Sequence, residues 1–111
     1  MDWIYLEDEK QLDKIKNDSQ TTPQVIFKHS TRCATSSMAK HRLDKNNTPE
    51  GISFYFLDLI KHRNISNKIA DDFKVVHQSP QVLIIHEGKC IYNESHSGIR
   101  FDEIEAAIMQ E

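Results

Sequence analysis

The chain has 111 residues, 38% hydrophobic and 28% charged, which is enough to bury one core; it reads as a single globular domain over residues 1–111. The net charge is −3 and no long block of one sign occurs, which excludes a general binder of nucleic acid or of acidic membrane surfaces. No apolar run approaches the roughly 20 residues of a membrane span, and the acidic start Met1–Lys10 lacks the layout of a signal peptide, so a cytoplasmic location is expected.

In chain order, Trp3-Ile-Tyr-Leu6 is short and aromatic and predicts a first strand. Asp8, with Gln11 three residues on, forms a capping-box pattern ahead of a helix whose apolar face is Leu12 and Ile15. Asp18 to Pro23 is a loop. Val25-Ile26-Phe27 is the centre of a strand whose continuous rather than alternating hydrophobicity predicts burial on both sheet faces. Ala34 to about Lys45 is helix-tolerant, with Met38 and Arg42 on one line and Ala39 and Leu43 on the next.

The polar stretch from Asp44 to Gly51 is a loop, and Ser53-Phe-Tyr-Phe-Leu-Asp58 is a further strand. Ile65, Ile69 and Phe73 mark the inner face of the next helix, with Asn64 or Ser66 as its N-cap. Ser79-Pro80 interrupts the chain. Gln81–His86 and Lys89–Glu94 then pair across Glu87-Gly88 as an antiparallel hairpin. Phe101, Ile104 and Ile108 form the stripe of a closing helix. The order β-α-β-α-β-α-β-β-α implies an α/β fold, a mixed sheet with helices on both faces.

Two cysteines do not make a secreted disulfide framework. Cys33, however, falls where a buried strand gives way to a helix, at the carboxyl end of the sheet where α/β proteins place their sites. The unpaired amides and the positive dipole end of a helix start favour thiolate over thiol. The backbone amides of Thr35 and Ser36, the Ser36 hydroxyl and the nearby Arg32 charge are candidates to stabilise it, and His29 at the strand end is a further cation candidate. Ser30 or Thr31 could cap the helix instead. The flanks Ser30, Thr31, Arg32, Thr35, Ser36 and Ser37 are polar, which argues against a cysteine that merely fills a core gap.

Cys33-Ala34-Thr35-Ser36 is Cys-X-X-Ser, so no second thiol stands one turn away, and exchange with an outside thiol is the matching chemistry. Cys90, in the hairpin, reads as filler rather than as a resolving thiol. The six histidines show no metal-ligand spacing. A phosphatase loop would need Arg where Ala39 stands, and the three glycines make no phosphate-cradling loop.

These features resemble the thioredoxin fold, in which a cysteine opens the helix after a core strand and a cis-proline precedes the terminal hairpin. More closely, the chain resembles the YtxJ family of monothiol bacilliredoxins, through Lys28-His-Ser-Thr-Arg-Cys-x-x-Ser36, His77-Gln-Ser-Pro-Gln81, Ile84-Ile-His-Glu-Gly-Lys89 and Ser95-His96. The family pattern Thr-Cys-Pro-Ile-Ser reads Arg-Cys-Ala-Thr-Ser here, with Ala34 in place of a proline that stiffens the helix start. The resemblance implies a thioredoxin-like domain that removes bacillithiol from S-bacillithiolated proteins. Cys33 and Ser36 would be catalytic, and Arg32, Ala34, Thr35, Ser79 and Pro80 would meet the substrate. It implies bacillithiol as a low-molecular-weight thiol co-substrate, with no tightly bound cofactor or metal. Two other readings stay open: a non-catalytic thioredoxin-fold binding module, and a glutathione-linked monothiol glutaredoxin, although Ala34-Thr35 departs from the Cys-Gly-Phe-Ser of its cluster-carrying members.

Overall fold

The computed structural model describes residues 1–110. Its elements run β1 (Trp3–Tyr5), α1 (Lys10–Asp18), β2 (Gln24–His29), α2 (Ala34–Asp44), β3 (Ser53–Asp58), α3 (Arg63–Phe73), β4 (Gln81–His86), β5 (Lys89–Ser95), a 3-10 turn at His96–Gly98, and α4 (Phe101–Met109). The five strands lie in the order β1-β3-β2-β4-β5. β1 and β2 both run parallel to β3, β4 runs antiparallel to β2, and β5 pairs antiparallel with β4. The mixed sheet and the element order agree with the sequence reading.

Strand alternation sorts the core into two layers. Ile26, Tyr55, Leu57, Leu83 and Ile85 face α1 and α3, where they meet Leu12, Ile15, Ile65, Ile69 and Phe73. Val25, Phe27, Phe54, Phe56, Val82 and Ile84 face α2 and α4, where they meet Ala39, Leu43 and Ile104. β2 is the middle strand, and all six of its residues are buried. Continuous hydrophobicity therefore did mean cover on both faces.

Three local expectations are refined. The Gln11 side chain accepts from the Asp8 amide at 2.9 Å, as a capping box requires, but Asp8 Oδ1 accepts from Lys10, two residues on, rather than from Gln11. The N-cap of α3 is His62, not Asn64 or Ser66. Asn64 is spent on Glu9, and Ser66 is fully buried in the helix. On α2 the inner line is Ser36, Ala39 and Leu43, and Met38 faces outward at 64% exposure. No described helix is long and apolar enough to cross a membrane.

The last two residues of β2 are polar in a fully covered strand. Lys28 is 0% exposed and points to the α3 side. Its Nζ donates to the Ser66 carbonyl at 3.1 Å and lies 3.3 Å from His77 Nδ1. Burial, reinforced by the Arg63 charge, lowers its amine from the ordinary 10.5 to about 8. Burial, then the charges of Lys28 and Arg63, lowers the His77 ring as well, so His77 is a neutral acceptor for the lysine.

The unfolded chain holds the lysine proton up to about 10.5 and the folded one only to about 8, so stability rises with pH across that window. The cost of burying the cation, roughly 3 kcal/mol, is felt below the window and relieved through it. Chemical denaturation at a series of alkaline pH values is expected to show wild type gaining stability relative to Lys28→Met by an amount of that order. Parallel pH curves for the two proteins would show that Lys28 titrates as an ordinary lysine.

Candidate active site

The register places the site. Lys28 pairs with Gln81 and His29 with Asp58, so the chain leaving β2 runs beside the segment that enters β4 and the loop that leaves β3. From there Ser30–Cys33 forms a tight turn. The Cys33 amide donates to the Ser30 carbonyl at 3.2 Å, and the Arg32 amide donates to the Ser30 hydroxyl at 3.3 Å. Ser30 thus spends its side chain inside the turn rather than on the helix.

Cys33 itself is the N-cap of α2, with extended backbone (φ −120°, ψ 118°) and no side-chain capping bond. Its carbonyl accepts the Ser37 amide at 3.1 Å, the first bond of the helix. The thiol is half-buried and free. Cys33 is therefore the residue at the N-terminus of an 11-residue helix, the end that carries the unpaired amides and the positive end of the dipole. Arg32 and Ala34 flank it in exposed positions and Thr35 is half-buried.

Ser36 is fully buried and turned inward. Its Oγ accepts from the Ser30 amide at 3.0 Å and lies 2.7 Å from His29 Nδ1. The hydroxyl expected to reach the sulfur is engaged with the strand end instead. His29, expected as a cation beside the thiol, is 6% exposed and packed on the Phe56 and Phe27 rings at 5.3 and 5.9 Å between centroids. Burial first, then the Lys40 charge, lowers the imidazole below its ordinary value, against the opposing pull of Asp58, a backbone hydrogen bond at Ser36, and Asp44.

The Ser79-Pro80 peptide bond is cis. Four contacts hold this segment in place. The buried Gln81 side chain donates to the Val76 carbonyl at 3.0 Å and accepts from the Gln78 amide at 3.4 Å. The His77 ring is held by Lys28, and the Pro80 carbonyl accepts the His96 amide at 3.1 Å. The Ser79 hydroxyl is buried without a hydrogen-bond partner. The stretch His77–Gln81 is thus largely a device for holding its own backbone in place. The sequence reading missed Lys28 and Gln81; their signal was polarity inside otherwise apolar strands.

Cys90 lies at the far end of the sheet. It pairs with Ile85, which is level with Gln24 at the start of β2, whereas Cys33 follows the end of that strand. The two thiols are separated by roughly 15 Å or more along the strand direction, beyond the reach of a disulfide. Burial pushes the Cys90 thiol up, and its S–H donates to the Tyr92 carbonyl at 3.3 Å. Among the described residues no cluster of three or more His, Cys, Asp or Glu side chains could hold a metal ion.

Known proteins share this fold. A thioredoxin-fold protein assigned to the oxidoreductases superposes with a TM-score of 0.81 at 25% identity, over 95% of this chain and 92% of that one. Thioredoxin from Fasciola hepatica superposes with a TM-score of 0.73 at 17% identity, over 96% of both chains. Thioredoxin from Malassezia sympodialis does so with a TM-score of 0.73 at 19% identity, over 96% of this chain and 87% of that one. The fold is that of the thioredoxins. The family model of the monothiol bacilliredoxin BrxC matches residues 4–104. With β2 to β5, the cysteine turn and the hairpin inside that span, the chain belongs to the monothiol bacilliredoxin family.

Proposed function

We propose that the protein removes bacillithiol from S-bacillithiolated proteins by monothiol exchange at Cys33. The observation that carries this reading is the isolation of one half-exposed thiol at the N-cap of α2. Ser36 stands one turn on, and the second cysteine is at the opposite end of the sheet. A thiol so placed can open a disulfide but has no internal partner with which to close a new one.

The Cys33 thiolate attacks the bacillithiol sulfur of the mixed disulfide. The S–S bond breaks, its electron pair leaves with the protein sulfur, and the reduced protein takes up a proton. Bacillithiol stays on Cys33 as a new mixed disulfide. A second low-molecular-weight thiol then attacks, releases the disulfide of the two small thiols and restores Cys33. Arg32, Ala34 and Thr35 border the sulfur. Ser79, next to Pro80, offers backbone groups to the incoming polypeptide, and the partners are bacillithiolated proteins of the cytoplasm.

Mass spectrometry of the protein mixed with a bacillithiolated substrate is expected to show one bacillithiol adduct, on Cys33. Cys33→Ala is expected to abolish both the adduct and the release of reduced substrate; transfer that survives this change would sink the assignment. Cys90→Ser is expected to retain the wild-type rate within about two-fold, because its thiol is remote and bonded to its own strand. A tenfold loss in Cys90→Ser would return Cys90 to the reaction.

A further inference from the structure

We propose that His29 is a positioning residue for Cys33: through Nδ1 it holds the Ser36 hydroxyl, and with it the Ser30 amide, so that the cysteine turn is pinned to both β2 and α2. The proposal rests on the exchange reading above only in taking Cys33 as the reacting thiol.

The hydrogen count supports it. A serine hydroxyl has one hydrogen to give and two lone pairs to offer. The Ser30 amide occupies one lone pair of Ser36 at 3.0 Å. The Ser36 side chain is 0% exposed, so its hydrogen needs a protein acceptor, and His29 Nδ1 at 2.7 Å is the one in reach. That assigns the imidazole N–H to Nε2. One buried chain, Ser30 amide to Ser36 hydroxyl to His29 ring, then links the last residue of β2, the first residue of the turn and the first turn of the helix that Cys33 caps.

The same count makes the pin sensitive to one proton. The groups facing His29 are Lys40 and Asp44 from α2, Asp58 from β3, and the Phe27 and Phe56 rings. Burial and Lys40 outweigh the two carboxylates and a backbone hydrogen bond at Ser36, so the ring is neutral at neutral pH. In acid Nδ1 gains a proton and becomes a donor to Ser36. The serine hydrogen must then leave that line, and the link between strand and helix is re-formed with reversed polarity.

The test is alkylation of Cys33 by iodoacetamide in a Cys90→Ser background, followed from acidic to alkaline pH, with circular dichroism reporting the fold. Bacillithiol transfer is measured in parallel. The wild-type profile is expected to show a step in the acidic range that follows the protonation of His29. His29→Leu and Ser36→Ala are each expected to lose that step and to alkylate about five-fold more slowly at neutral pH, the loss of one ordinary hydrogen bond. His29→Asn, whose Oδ1 occupies nearly the place of Nδ1, is expected to lose the step and keep the neutral rate within about two-fold. If His29→Leu does not fold, Ser36→Ala and His29→Asn decide. Folded variants that keep the wild-type rate and profile overturn the proposal, as does His29→Asn slowed as much as Ser36→Ala. A protein that alkylates as expected yet never carries bacillithiol supports the role of His29 and overturns the bacillithiol reading.

Discussion

Two consecutive polar residues, Lys28 and His29, end a strand that is covered on both faces, and their need for partners organises what surrounds Cys33. Successive side chains of a strand point to opposite faces, so the two cannot share a partner. Lys28 reaches the α3 side and takes the Ser66 carbonyl and His77. His29 reaches the α2 side and takes Ser36. A buried polar group without a partner costs more than its bond would add, so each contact is enforced by the burial of β2 rather than by its own strength. The result is that one strand end fixes both halves of the site. The lysine holds the segment leading to Ser79-Pro80, and the histidine holds the first turn of the cysteine helix.

This division also sets the role of Ser36. In the Cys-X-X-Ser arrangement the position one turn after Cys33 is free for another task, and here it is structural. Ser36 is buried, accepts the Ser30 amide and faces His29. A second thiol there would be a much weaker acceptor for that amide and a poorer partner for the ring. The chain has a second cysteine, but the hairpin register sets it level with the opposite end of the sheet, where burial pushes its thiol up and its S–H is engaged by the Tyr92 carbonyl. Nothing in the fold brings a partner sulfur to Cys33, so an internal disulfide is out of its reach.

The fold was legible in the sequence because it rests on local patterns. The unbroken apolar run of β2, the spacing of Ile65, Ile69 and Phe73, and the Glu87-Gly88 turn between two strand-like runs each report burial or turn chemistry within a few residues. The position of Cys33 followed from the same patterns. What was not legible depends on contacts across long stretches of chain. The Lys28–His77 pair spans 49 residues, and whether Ser36 serves the sulfur or the strand end depends on which way an inner helix position turns. The outer line Met38–Arg42 and the inner line Ala39–Leu43 look alike in a helix that is polar nearly throughout, and only packing under β2 separates them. The N-cap of α3 was misread for a related reason: Asn64 and Ser66 are good capping types, but one is drawn to Glu9 and the other is buried against His77.

Ala34 gives the pin on Ser36 its weight. As the first residue of α2 it occupies the position where proline fits best, since an amide there is unpaired in any case and the ring sets φ in advance. A proline would stiffen the step from turn to helix by covalent means. Alanine keeps an additional amide at the helix start and leaves φ free, so the chain must obtain the same restraint from contacts. The bonds available are those of the turn itself, Cys33 to Ser30 and Arg32 to Ser30, and those of Ser36, which alone reach outside the turn to the sheet. The restraint on the Cys33 turn that reaches the sheet is therefore a buried side-chain network added to the backbone bonds of the turn, and a network of that kind responds to protons where a proline ring does not.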